Sequence, residues 1–418
     1  MERLLLKADV VIPISSEPIR NGAVVVDGGR IVDIGTSDRI ETDYPSLQKI
    51  RRQNSIILPG FVNAHTHLEL SWTRGKIVGF EDFAGWLERL IALKAGGIDQ
   101  DLVEDSMRAG IRDVIGSGVT TVGEISSLDF GGREMLRSSG MRIVAFLELF
   151  DRISPRLSSL EFQSEDLYEE RPFPHAPYSC GPEFLEAVFA CAGKNAVATG
   201  IHLGESPDEV DFLKNLPNEF ERKIFPLIKK ETFERPRADT PTRYINRFLH
   251  GKDVKLSAVH MVQVVDEDME IIRGADIGII LCPRSNVLLG VGKPNLSQMF
   301  AHERVGLGTD GLSSNSDLDF FQEIRFLHDI MVEQGIRQSA RLAVYFATLG
   351  GARALFIEEE TGSLEVGKSA DIICIGCKGG IAPDPYSCVV SSKPEDLQFS
   401  MVGGNLIYKK DPWDPCEH

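Results

Sequence analysis

Eight short apolar segments constrain this chain most: 61–66, 119–125, 142–149, 172–178, 198–204, 256–261, 277–282 and 305–310, most of them followed by a helical pattern. The 3.6-residue periodicity is clearest over 80–95, 101–117, 182–193, 318–334 and 338–355. Eight strand–helix repeats fit a closed α/β architecture, the (β/α)8 or TIM barrel, better than an open doubly wound sheet. No Gly-x-Gly-x-x-Gly follows a strand, so a dinucleotide-binding fold has no support.

Both ends of the chain read differently. Residues 1–58 contain short strands and a hairpin signal at Asp27-Gly28, and residues 358–418 repeat that character around Ala370-Asp371-Ile372-Ile373 and Met401–Tyr408. The two ends are expected to build one small β-sandwich beside a barrel over 59–357. A net charge of −17 argues against holding nucleic acid by its phosphates and against binding an anionic membrane. No apolar run is long enough to span a membrane and the start carries no secretory core, which leaves the cytoplasm as the default. Cys374 and Cys377 stand as C-x-x-C in a β-rich tail without a second pair, and read as core thiols.

Barrel enzymes carry their chemistry where strands end. Here the strand ends are polar: His65 and His67 on the first, His175 on the fourth, His202 and Glu205 on the fifth, His260 on the sixth and Asp310 on the eighth. Alternate side chains of a strand point the same way, so His65 and His67 face one side together. A lone strand histidine is usually a satisfied core residue. Four strands delivering histidines to one rim, with Asp310 from a fifth, point to a metal site instead.

His65, His67, His202 and Asp310 supply three imidazoles and a carboxylate, a set suited to one divalent ion, Zn²⁺ or Fe²⁺. Such an ion acidifies water toward a nucleophile at neutral pH. Glu205, three residues past His202, can shuttle a proton to a ring nitrogen of the substrate. Asp310 can also orient the water. His260 is expected to hydrogen-bond the water or the developing oxygen, with a fifth-ligand or supporting role as the alternative. Residues 172–180 hold no lysine to carboxylate and bridge two metals, which favours a mononuclear site.

These residues resemble the amidohydrolase superfamily, in its cytosine/adenosine-type deaminase branch. The pieces are Pro59–His67, His175-Ala176-Pro177-Tyr178-Ser179, His202-Leu203-Gly204-Glu205, Val259-His260, Cys282-Pro283-Arg284-Ser285-Asn286, Gly308–Asn315 and Gly362–Asp371, in the family's order across the whole barrel. The resemblance implies a metal-dependent hydrolase barrel in which an amino group leaves a ring as ammonia. It places the metal ligands on His65, His67, His202 and Asp310, the proton shuttle on Glu205 and the water-orienting histidine on His260.

Within the branch, Glu69, Trp86-Leu87, Glu124-Ile125-Ser126-Ser127, His202-x-x-Glu205-Ser206 and His260-Met261-Val262 resemble aminofutalosine deaminases of menaquinone biosynthesis. Methylthioadenosine and S-adenosylhomocysteine deaminases share most of the catalytic pieces and are the alternative. Another amidohydrolase acting on a cyclic amide, a guanidine or a chlorinated ring, or a non-catalytic scaffold, are the remaining readings.

The implied partner is a small aminopurine nucleoside. His175 would reach its ribose or that sugar's substituent, or else cap and pack. Glu69 would accept ribose hydroxyls, or form a buried salt bridge. Trp86 would wall the pocket, or belong to the core. A substrate carboxylate would need a cation, with Arg284 or Arg243 as candidates. Arg243 lies in a basic excursion, 219–249, read either as a solvated helical loop or as an anion-recognising wall. Oligomeric state stays open between a monomer and a homodimer.

Overall fold

A computed structural model describes residues 3–410 apart from 98, 128–130 and 152–159. Strands β1 (Leu4–Val11), β2 (Ile19–Asp27), β3 (Arg30–Thr36), β4 (Gln48–Arg51) and β5 (Ser55–Pro59) come from the amino-terminal part. The middle contributes β6 (Phe61–Thr66), β7 (Val119–Ser127), β8 (Arg142–Leu149), β9 (Ser164–Glu165), β10 (Tyr168–Pro174), β11 (Thr199–Leu203), β12 (Leu256–His260), β13 (Gly278–Leu281) and β14 (Val305–Leu307). The carboxy-terminal part adds β15 (Ile372–Gly376), β16 (Leu397–Val402) and β17 (Asn405–Lys409).

The expected barrel is present. Eight parallel strands run in the order β11-β12-β13-β14-β6-β7-β8-β10, with the two-residue β9 antiparallel on the outside of β10. The ring closes between β10 and β11: His202 N–H donates to the His175 carbonyl at 3.0 Å and Thr199 Oγ1 to the Pro172 carbonyl at 2.7 Å. Strands covered on both faces need apolar residues throughout, which explains their near-continuous hydrophobic reading.

The chain ends meet in one sheet of order β17-β16-β15-β5-β1-β2-β3, with β4 also on β1. Its pivot is β5, parallel to β1 and antiparallel to β15. The edge strand β3 returns to residues 367–370 through Ile31 N–H to the Lys368 carbonyl (2.9 Å) and Gly367 N–H to the Ile31 carbonyl (2.8 Å). The sheet therefore curls round one apolar cluster that includes Leu6, Val24, Ile57, Ile372, Phe399 and Met401. From β5 the chain passes through Gly60, whose N–H donates to the Asp371 carbonyl at 3.0 Å, into the first barrel strand.

The helical reading of 338–355 needs a correction. Two helices stand there, Ser339–Phe346 and Leu349–Ala354, broken at Thr348 with φ −131° and ψ −100°. The break lets the second helix turn under the barrel. Its Ala352 and Ala354, with Leu355, join Val62, Val144, Phe146, Phe173 and Ile280 in the barrel's inner cluster. Ser257 Oγ donates to the Ala354 carbonyl at 2.7 Å and holds that floor to β12. Periodicity sees one amphipathic run, because both halves bury apolar faces.

The floor helix approaches the strands so closely that only glycine fits. A Cβ on Gly350 would stand 2.3 Å from the Val305 carbonyl oxygen. Alanine would improve helix propensity by about 1 kcal/mol, but overpacking against fixed backbone costs about 1–3 kcal/mol. Gly350→Ala is therefore expected to lower the urea midpoint of unfolding, and an unchanged or raised midpoint would contradict this packing.

Candidate metal-dependent active site

Glycines bring the eighth strand's end onto the first. A Cβ on Gly308 would lie 2.8 Å from His65 Cβ, and one on Gly311 2.9 Å from His67 Cβ. Between them, Thr309 is locked by a reciprocal pair with Asn63: Asn63 Nδ2 donates to Thr309 Oγ1 at 2.8 Å and Thr309 N–H to Asn63 Oδ1 at 3.0 Å. Asp310 N–H then donates to the His65 carbonyl at 3.1 Å. Asp310 sits at φ +58° and His260 at φ +76°, left-handed conformations uncommon for such residues and concentrated at functional sites.

The Asp310 carboxylate has two different sides. Oδ2 accepts from Ser285 Oγ (2.6 Å) and Ser314 Oγ (2.8 Å). Oδ1 accepts from Gly311 N–H (2.8 Å) and faces His65 Nε2 and His67 Nε2, each at 3.6 Å. Burial alone would raise the pKa of Asp310, but the surrounding histidines hold it well below the usual carboxylate range. Burial also opposes protonation of the rings: His67 falls to about 3, His260 to about 4, and His202 well below its ordinary value.

A metal fits this set on structural grounds. His65 is fully buried, and neither ring nitrogen has a hydrogen-bond partner among the described residues. An orphaned buried imidazole is costly unless something accepts its lone pair. His202 places Nδ1 3.0 Å from the His175 carbonyl, so Nδ1 carries the hydrogen and Nε2 offers a lone pair, the second-atom anchoring common to metal-binding histidines. The potential ligand atoms fall into two overlapping groups, His65–His67–Asp310 and His65–His202–His260.

Glu205 stands next to this cluster, its Oε1 3.5 Å from His260 Nε2. It is fixed from behind by Glu209, whose carboxylate accepts Gly204 N–H (3.0 Å) and Glu205 N–H (3.2 Å). Burial, then the charges of Asp310 and Glu209, push the Glu205 carboxyl well above its ordinary range. His260 Nδ1 pairs with Asn286 Oδ1 at 3.0 Å.

A cavity of about 300 Å³ opens over these groups. His67, His202, Glu205, His260 and Asp310 lie on its wall, with His175, Glu69 and Trp86. Trp86 also donates Nε1–H to the Ser313 carbonyl at 2.7 Å, and Glu69 accepts Ser127 N–H (3.0 Å) and Oγ (2.6 Å), with no salt bridge to Glu69 among the described residues. The outer wall is apolar: Phe83, Leu87, Leu90 and Ile91 from the helix Phe83–Ala95, and Ile224, Phe225 and Ile228 from the excursion. Tyr178 stacks on Phe220 at 4.0 Å and ties that excursion to the barrel.

Two sequence expectations fail here. Arg284 does not line the cavity: its guanidinium forks onto Asp317 (2.9 and 2.8 Å) and reaches Glu323 at 3.5 Å. Arg243 is also off the cavity, exposed and 3.7 Å from Asp239. The excursion's other cations are largely spent on local carboxylates, Arg222 on Glu219, Lys223 on Asp82 and Arg235 on Glu221. Its contribution to the wall is apolar except for Lys230, which binds Asp151.

Sequence reading missed Glu148, which lines the cavity at the end of β8 and is pushed up to about 7 by burial. The sequence shows it only as one carboxylate near the end of a largely apolar strand. Sequence reading singled out Glu124 without giving it a role: Glu124 accepts Leu68 N–H (3.0 Å) and Glu69 N–H (3.3 Å) and sets the turn after His67.

The Amidohydrolase family pattern matches residues 56–407. This chain belongs to the amidohydrolase family. It is an enzyme, a hydrolase of carbon–nitrogen bonds in the adenosine-type branch. A 5-methylthioadenosine/S-adenosylhomocysteine deaminase of Thermodesulfovibrio yellowstonii is 29% identical, covering 94% of this chain and 89% of its own length. The 5'-deoxyadenosine deaminase of Methanocaldococcus jannaschii is 28% identical over 84% of this chain and 82% of its own. The crystal structure of Helicobacter pylori aminofutalosine deaminase in complex with methylthio-coformycin superposes with a TM-score of 0.84 at 26% identity, covering 97% of this chain and 100% of that one.

The Arg284 network supplies a test. Glu323 is fully buried, accepts Asn315 Nδ2 at 2.8 Å, and is pushed up to about 8 by burial. A carboxyl raised on folding stabilises fully below its unfolded pKa and loses that contribution as pH rises through the folded value. Glu323→Gln stays neutral throughout. The variant should gain on wild type by on the order of 1 kcal/mol per pH unit between about pH 5 and 8, read from denaturant unfolding; a constant difference would refute the assignment.

Proposed function

We propose that this enzyme deaminates a 6-aminopurine nucleoside, replacing the amino group by oxygen and releasing ammonia. The observation that carries the reading is the meeting of Asp310 Oδ1 with His65 and His67 at 3.6 Å, beside a buried Glu205 on the cavity wall. His65, His67, His202 and Asp310 would hold one divalent ion. When bound, that ion would supply the Lewis acidity that makes water nucleophilic near neutral pH.

The chain's own groups then manage the protons. Glu205, kept protonated by burial, donates to N1 of the purine as water adds at C6. Asp310 takes the proton released by the water. His260, its Nδ1–H spent on Asn286, offers Nε2 as an acceptor to the hydroxyl that forms at C6. Glu205, now a carboxylate, takes the proton of the C6 hydroxyl and passes it to the departing nitrogen, and the proton held on Asp310 returns to Glu205, so that one water is consumed, ammonia leaves and both carboxyl groups are restored.

The substrate's 5' group faces the apolar wall in this reading. Phe83, Leu87, Leu90, Ile224, Phe225 and Ile228 suit a thioether such as that of methylthioadenosine, and the names of the deaminase relatives support this choice. Aminofutalosine is the second reading. It is favoured by Lys94, which lines the same cavity and makes no hydrogen bond or ion pair among the described residues, and by the likeness to the Helicobacter pylori enzyme.

Ammonia release is to be measured across adenosine, methylthioadenosine, S-adenosylhomocysteine and aminofutalosine with Zn²⁺- or Fe²⁺-loaded protein. At least one should be converted to its 6-oxo product, and silence on all four would sink the deaminase reading. Glu205→Gln should keep one metal ion per chain by elemental analysis while losing about 10²–10⁴-fold in kcat. Turnover near that of wild type would remove Glu205 from proton transfer.

A further inference from the structure

Glu148 is the cavity's unexplained carboxylate. It lines the wall at the end of β8, and neither oxygen has a hydrogen-bond partner among the described residues. Its Oε1 lies 3.9 Å from His175 Nε2. The hydrogen-bond network fixes what that nitrogen offers. Ser179 Oγ donates to the Ala176 carbonyl at 3.1 Å, so at 2.7 Å it accepts the hydrogen of His175 Nδ1. Nε2 then carries a lone pair, and burial keeps the ring from gaining a second proton. Two acceptors thus face the same space with no hydrogen bond between them, and the Lys94 ammonium on the same wall acts on both only through space.

Such a pair calls for a ligand with two donors. A cation is the other chemistry that satisfies facing acceptors, and Glu148, His175 and His202 lie close enough to be considered together. His202, however, already gives its Nδ1 hydrogen to the His175 carbonyl and offers its Nε2 to the cluster around His65. That leaves only two ligands for a second ion. Glu69, on the same wall, differs from Glu148 because Ser127 already donates to both of its oxygens.

We propose that Glu148 and His175 together recognise the vicinal hydroxyls of the substrate's ribose, making Glu148 a residue that selects ribonucleosides over deoxyribonucleosides. This rests on the deaminase reading and deepens it. Each hydroxyl donates, one to the carboxylate and one to His175 Nε2, and a sugar lacking either hydroxyl leaves a buried acceptor unpaired.

The test uses whichever nucleoside the metal-loaded enzyme deaminates best, with its 2'-deoxy and 3'-deoxy analogues. Wild type should lose on the order of 10- to 100-fold in kcat/KM on removal of a hydroxyl, mostly through KM. Glu148→Ala should lose a similar factor on the ribonucleoside and little more on the analogue lacking the hydroxyl that Glu148 accepts, so that discrimination against that analogue collapses to within about threefold while discrimination against the other persists through His175. Glu148→Gln, which keeps one acceptor oxygen and the side chain's shape, should fall between.

Three results would overturn the proposal: wild type indifferent to the hydroxyls, Glu148→Ala retaining full discrimination, or a second metal ion per chain that Glu148→Ala removes. Wild type inactive on every nucleoside overturns the deaminase reading itself, and this proposal with it. Should Glu148→Ala misfold, the shape-conserving Glu148→Gln carries the comparison, and its retaining full discrimination against both analogues overturns the proposal.

Discussion

Everything at the rim of this barrel depends on one buried imidazole. His65 is sealed from solvent and neither ring nitrogen has a hydrogen-bond partner among the described residues. In a protein interior an unpaired polar group costs about 1–3 kcal/mol, which folding would shed by a modest rearrangement if nothing compensated it. The surroundings hold it in place instead: Gly308, just past β14, lets the chain press against it, and its own backbone carbonyl binds Asp310 N–H. A ligand set held at a standing cost of this kind makes sense when an ion supplies the missing interaction.

The same logic extends outward through backbone hooks. Asn63 pins Thr309, Glu209 gathers the N–H groups of Gly204 and Glu205, and Glu124 gathers those of Leu68 and Glu69. Each is a buried side chain whose acceptors are spent on a turn next to a functional residue. None touches the cavity's reacting end. Their work is to fix where His67, Glu205 and Asp310 point, and a barrel needs them because those residues come from three strand ends far apart in sequence.

The sequence made the barrel and the histidine rim legible, because strand burial writes apolar runs and because a histidine at the end of such a run has few other uses. Arg284 misled, since it belongs to a motif that borders the site. Yet its guanidinium turns outward to Asp317 and Glu323, a pairing between residues 33 and 39 positions away that spacing does not reveal. The break at Thr348 was hidden because both helices bury apolar faces and the turn depends on how closely glycine lets them approach. Glu148 was overlooked for the opposite reason: a single carboxylate near a strand end is common, and only the lack of a hydrogen-bond partner among the described residues gives it meaning.

The cavity divides its labour by element. Strand ends, fixed by the barrel's hydrogen bonds and its floor helix, carry the residues that would handle metal and protons. The wall farthest from them comes from the helix Phe83–Ala95 and the excursion's short turns Phe220–Ile224 and Phe225–Leu227, which are fastened by side-chain packing such as Tyr178 on Phe220 and Phe83 on Phe220. Changes in that wall disturb no strand register. Selectivity for the outer part of a nucleoside can therefore drift while the reacting end stays fixed. On this division the excursion's pairs Arg222–Glu219, Lys223–Glu219 and Arg235–Glu221 hold the wall's shape and leave its inner face apolar apart from Lys230.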